Sequence, residues 1–190
     1  LNNFLPSFLG GDAYRSYLLG NPEKRYSAAA STVIFVRFVG LWSTIALFLL
    51  FGFVSFDAVF SQPMFALFGV GLGCFFAFDV ALTLFSDRAP VQWLFGVFPD
   101  KLRNFFYEIG GFTDRRFVWE SFLVSLLFSF VGVGLFNLAL FSAFGESVPI
   151  AAYLSVVFLV SFVSSLPVSV NNIGLKEWAY YTFFPLIGIS

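Results

Sequence analysis

The sequence predicts an all-α fold: a polytopic helical membrane protein with broken or re-entrant helices. Three observations predict it. The chain of 190 residues is 59% hydrophobic and 11% charged and carries 31 phenylalanines, a balance far from that of a water-soluble domain. Its apolar runs are continuous rather than alternating, which argues against the polar-lumen pattern of a membrane β-barrel and for helices that satisfy their own backbone in lipid. Two stretches, one near each end, mix proline, glycine and charge into apolar sequence, as broken membrane helices do.

In chain order, 1–20 is interrupted by Pro6, Gly10, Gly11, Asp12 and Arg15 and reads as a broken or re-entrant element. The polar loop 21–26 follows. Residues 27–55 form the first clear span, with Arg37 as its one charge, and 63–85 the second, with Asp79 inside it. Residues 117–144 and 150–166 supply two more, each near the roughly 20 apolar residues that cross a hydrocarbon core. Residues 167–187 read as a helix break followed by a short helix. All of this makes one membrane domain. Because the chain opens on "LNNFLPSFLGGD", with no initiator methionine or basic leader, it is expected to be a fragment.

Charge sets orientation and narrows function. Lys24 and Arg25 lie in the first loop, and Arg88, Lys101, Arg103, Arg115 and Arg116 in the long connection, whereas 56–62 and 145–149 contain no basic residue. Basic loops stay inside, so 21–26 and 86–116 are expected in the cytoplasm of a cell-membrane protein. Within that connection, Phe98, Leu102, Phe105, Phe106 and Ile109 share one helical face, which predicts an interfacial helix over 98–109, or a helix packed on another domain. The net charge of −1 suggests no nucleic-acid partner. A single cysteine, Cys74, excludes an internal disulfide, and the lack of histidine removes haem, the common zinc sites and His-based triads. No cofactor and no metal is expected. The glycines of "GVGLG", 69–73, sit mid-span without a preceding strand and point to close helix packing, as do Gly132 and Gly134.

The charges inside the spans need partners. Arg37 lies ~15 Å and Asp79 ~9 Å from the cytoplasmic ends of antiparallel spans. A structural ion pair is one reading, and Arg37 facing a polar cavity to meet an anionic headgroup is the other. The run "SSLPVSVNNIGLKEWAYY" poses a similar choice. Pro167 ends a helix, and a new helix starting near Gly174 would offer its N-terminal N–H groups to an anion, beside Asn171, Asn172 and Lys176, with Glu177 next in line. A polar turn at the membrane surface is the plainer alternative. The stretch also shares with "FLPSFLGGDAYRSYLL" a Leu-Pro and a basic residue nine positions later (Pro6 to Arg15, Pro167 to Lys176).

At these residues the chain resembles the lysylphosphatidylglycerol synthetase transmembrane, or flippase-like, family, whose two motifs appear here in family order. The matching positions are Asn3, Pro6, Gly11, Asp12 and Arg15 in the first, and Pro167, Ser169, Gly174, Lys176 and Glu177 in the second. Asn172 stands where a glycine is usual, and Lys176 where arginine is commoner. The resemblance implies a multi-pass inner-membrane domain that in some members moves aminoacylated phospholipid between leaflets. It implies phospholipid and the bilayer as partners. In the leading reading of the residues, Arg15, Arg37 and Lys176 meet phosphate and Asp12 and Glu177 shape headgroup choice. A homo-oligomer is left open. Lipid translocation or headgroup binding is the leading expectation, and catalysis by this chain is not expected. An ion-coupled transporter of a small anion would use the same broken-helix geometry, and an intramembrane lipid-modifying enzyme lacks a recognisable nucleophile–base pair or metal cluster.

Overall fold

The computed structural model describes residues 14, 17–18, 26–84, 115–144, 149–165 and 174–189, with backbone alone at 26–28, 79, 81–84, 115 and 144. The described residues are helical and include no strand. Helix α1 is Tyr26–Val54, α2 Phe56–Val59, α3 Pro63–Leu84, α4 Arg115–Ser129, α5 Phe136–Phe144, α6 Ile150–Ser165 and α7 Leu175–Phe183. A π-helical turn, Phe130–Leu135, joins α4 to α5, and a 3₁₀ turn, Pro185–Ile187, follows α7. The expected broken element over 1–20, the interfacial helix over 98–109 and the break at 167–173 lie outside the described residues, apart from helical Tyr14, Tyr17 and Leu18.

Lipid leaves no water to satisfy backbone or hydroxyl groups, so polar side chains in these helices turn back on their own carbonyls. In α1, Ser43 Oγ donates to Val39 O at 2.9 Å and Thr44 Oγ1 to Leu41 O at 2.9 Å. Ser161 Oγ does the same to Val157 O in α6, at 2.9 Å. Pro63 opens α3 at the one helical position where its missing N–H costs nothing.

Residues 29–54 and 116–143 are each long and apolar enough to cross a membrane, yet only 6% of the best window in the second is buried within the protein. Phe128, Leu67 and Val70 are among many large apolar side chains left exposed, which in water would be an aggregation surface and in a bilayer is a lipid-facing wall. The core instead surrounds α6, where 152–160 are buried without interruption. A helix apolar and covered all round belongs at the centre of a bundle. It packs most extensively on α1, where Ser155 Oγ donates to Phe48 O at 3.1 Å. Phe51 of α1 lies between Phe130 and Phe158, with ring centroids 6.1 and 5.9 Å away, and this stack ties α1, the π turn and α6 together.

The glycines divide by position. A Cβ on Gly69 would meet Phe60 at 2.5 Å, one on Gly52 would meet the same ring at 2.9 Å, and one on Gly134 would meet Phe158 at 3.2 Å, so these three permit close packing. Gly71 and Gly132 have nothing within 4 Å among the described residues. For those two, no described residue supplies the close packing expected from the sequence.

Helix α6 has 16 residues, or ~24 Å, shorter than a hydrocarbon core of ~30 Å. Helix α7 then folds back along it. Phe184, just after α7, contacts Tyr153 near the start of α6 at 5.6 Å, and Phe183 contacts Phe65 and Phe68 at the start of α3 at 5.9 and 5.7 Å. The end of α7 thus lies at the end of the bundle where α3 and α6 begin, and α6 and α7 form an antiparallel hairpin.

Candidate functional site: a polar cavity at mid-depth

Between the π turn, α5, α6 and α7 lies a cavity of about 620 Å³, lined by Gly132, Asn137, Tyr153, Ser161, Lys176 and Tyr180 among others. Its level follows from the helices around it. Ser161 is ~16 Å along α6 from Ile150, and Gly132 is ~18 Å along the other helix from Phe144. These two residues bring the inner part of the cavity to the middle of the bundle, and from there it runs toward the end where α6 begins, since Phe141, Tyr153 and Phe184 also line it.

The π turn explains why a cavity forms there. An extra residue in the turn widens the helix and disturbs its hydrogen-bond ladder, a feature frequent at functional sites. Asn137 Nδ2 donates to Val133 O at 2.8 Å, and the Asn137 backbone carbonyl accepts from Tyr153 Oη at 3.2 Å. Gly132, lacking a side chain, leaves the adjoining wall open.

Of the residues expected to bind, Lys176 is exposed and lines the cavity, with Nζ 5.9 Å from the centroid of the Tyr180 ring. Gly174 precedes α7 at φ 83°, a left-handed conformation that glycine adopts without strain. Its N–H donates to Glu177 Oε2 at 2.9 Å. Glu177 therefore places its own carboxylate at the helix start, where an incoming anion was expected to find free donors. Arg37 is half-buried on α1 and is not part of the cavity wall. Asp12, Arg15, Asn171, Asn172, Pro167 and Ser169, together with the Asp79 side chain, lie outside the described residues.

Sequence reasoning passed over Asn137, Tyr153, Ser161 and Tyr180. Asn137 is the one side-chain amide in 117–144, and a polar group within a span is itself a functional signal. Tyr180 follows Lys176 by one helical turn, the spacing that puts two side chains on one face.

A second depression differs in chemistry. About 370 Å³ in volume, it is an apolar groove between α1, α3 and α4, lined by Trp42, Leu50, Phe76, Val80, Trp119 and Leu126 among others. Helix α1 packs closely on α4, with Phe35, Val39 and Trp42 buried against Val118, while α3 reaches α4 through Phe76 against Phe122, 6.2 Å between ring centroids.

The family described as Lysylphosphatidylglycerol synthase TM region matches residues 1–190. No curated protein and no solved structure matches the chain at a significant level.

Proposed function

Since the chain belongs to the lysylphosphatidylglycerol synthase transmembrane family and is a membrane protein linked to lipid handling, we propose that it binds a phospholipid headgroup in the mid-depth cavity and passes it between leaflets. The observation that carries this reading is Lys176, a cation on the wall of a cavity set among apolar helices. A charge held at such depth needs an anionic partner, and a phosphodiester supplies one. The antiparallel α6–α7 hairpin suits the purpose, because discontinuous helices bring polar groups to the midplane of transporters. Asp12, Arg15, Arg37, Asn171, Asn172 and Glu177 complete the proposed headgroup path in a cell membrane.

Large apolar side chains left exposed beside the cavity, Val131, Leu135 and Phe136 among them, favour a lipid over a small soluble anion, because a lipid keeps its acyl chains in the bilayer while its headgroup moves.

Leaflet-specific lipid labelling in proteoliposomes tests the reading. Lys176→Gln is expected to slow headgroup transfer about tenfold or more, the worth of a charge-assisted hydrogen bond, while expression and helicity stay unchanged. Lys176→Arg keeps the charge and should retain transfer within about threefold. Unaltered transfer by Lys176→Gln, or uptake of free phosphate in place of lipid movement, would count against it.

A further inference from the structure

Helices α4 and α5 are one helix interrupted by the π turn Phe130–Leu135, and its two halves are held differently. Helix α4 and the start of the turn are bound to α1, with Phe117 stacked on Phe35 at 6.0 Å and Phe130 on Phe51 at 6.1 Å. Helix α5 packs less extensively on α6. It rests there at Tyr153, whose Oη donates to the Asn137 carbonyl at 3.2 Å and whose ring lies 4.5 Å from that of Phe141. A π turn holds one residue more than the α-helical turn it replaces, so every place along α5 is taken by the residue after the one that an unbroken α-helix would put there. If the turn rewinds with α4 fixed, each place passes to the preceding residue, as α5 turns by ~100° and rises by ~1.5 Å. The place of Asn137 passes to Phe136, and that of Phe141 to Leu140. Phe136 is now exposed beside the cavity; rewound, its ring enters the space that the Asn137 amide borders.

Rewinding keeps the main-chain bond to α6, because Tyr153 Oη then finds the Phe136 carbonyl where the Asn137 carbonyl stood. No polar group is stranded in lipid. The glycines ease the movement: Gly132 meets nothing within 4 Å among the described residues, and Gly134 has no side chain to draw past Phe158, whose ring lies 3.2 Å from its Cβ position. What the exchange gives up is one aromatic contact and one amide on the cavity wall, so two discrete packings of the same helix lie close together, as in other bistable elements. We propose that the π turn is a register switch that gates the cavity: in the π register Asn137 borders an open cavity, and in the α register Phe136 fills it. The inference rests on the headgroup reading above for what is gated and adds a regulation of that site. A bound headgroup holds the π register, since it and the Phe136 ring cannot share one space. An empty cavity is free to close.

The test uses the full chain in detergent, with Cys74→Ser and a trifluoromethyl label on Leu140→Cys, read by fluorine NMR. Position 140 passes in the switch from the cavity wall to the face of the Tyr153 ring, so its resonance shifts. The rewound register is expected as a second signal, about 1–10% of the first and connected to it by saturation transfer. Deleting Gly132 takes the extra residue out of the turn and leaves α5 in its present places without a bulge. The second signal should then vanish and the first persist. The same label on Leu127→Cys in α4 should give a single signal. Saturating dihexanoyl-phosphatidylglycerol should lower the second signal at position 140 about fivefold or more. One signal there, with no partner above about 1%, overturns the switch whether or not the deletion variant folds. A second signal that survives the deletion, or matching exchange at position 127, also overturns it, because the motion is then not that of the turn. Exchange at position 140 that the lipid leaves unaltered keeps the register switch and overturns the headgroup as what it gates.

Discussion

Phe60 illustrates how single residues fix this bundle. Its ring occupies the space that side chains on Gly52 and Gly69 would take, and it is held by Phe48, Phe53 and Phe56 at 6.1, 5.5 and 5.5 Å, so it has little room to retreat. Gly69→Ala is expected to cost about 1–3 kcal/mol in detergent unfolding through overpacking. Gly71→Ala, with nothing within 4 Å, should be neutral or slightly stabilising through helix propensity, and equal losses in both would refute the role given to Phe60. From the sequence the two glycines were indistinguishable, because what separates them is a ring arriving from a turn. The expected pair Arg37–Asp79 calls for a double-mutant cycle. Each neutral substitution should destabilise by about 3 kcal/mol and the double substitution should regain most of it. If Arg37 also meets headgroups, lipid transfer stays impaired in the double variant after stability has returned, and recovery of both would confine Arg37 to the ion pair.

Among the elements, α6 organises the rest, and its surroundings were only half legible in advance. Its apolar run announces a helix. Burial on every side does not follow from composition, because a lipid-facing helix and a central one are equally apolar, and only tertiary packing separates them. The start of α7 has a local cause: Gly174 and Glu177 carry the turn and the cap within a few residues. The cavity was not legible in the sequence, since its wall joins residues far apart in the chain and depends on a π turn that no spacing rule reveals. The α1–α6 contact permits a direct measurement. Ser155 lies against Phe48 O and near Gly52. Ser155→Ala should lose about 0.6 kcal/mol, typical of one interhelical hydrogen bond in a membrane. Ser155→Leu should lose about 1–3 kcal/mol by forcing the helices apart. A larger loss for alanine than for leucine would mean that the hydrogen bond, not close approach, holds the pair.

For the whole molecule, the proposed orientation puts 56–62 outside and 86–116 inside. In a background lacking Cys74, a cysteine at exposed Ser61 should react with an impermeant thiol reagent in intact cells, and one at Lys101 should not. The reverse pattern would invert every assignment of side. Neighbouring Val59 is fully buried and unsuitable as a probe. With orientation fixed, the mid-depth position of Lys176 acquires an electrical meaning. A unit charge crossing the whole membrane exchanges about 2.3 kcal/mol per 100 mV, so an anionic headgroup reaching a half-way site exchanges about half of that, roughly sevenfold in occupancy. An interior-negative potential would then help such a headgroup enter from the inner leaflet and hinder entry from the outer one. Occupancy by phosphatidylglycerol in proteoliposomes should follow an imposed potassium diffusion potential in that sense. A zwitterion, carrying both charges to the same depth, should be nearly indifferent. The cavity's depth would thus make the membrane potential itself a selector of leaflet for anionic lipids, and leave zwitterionic ones insensitive to it.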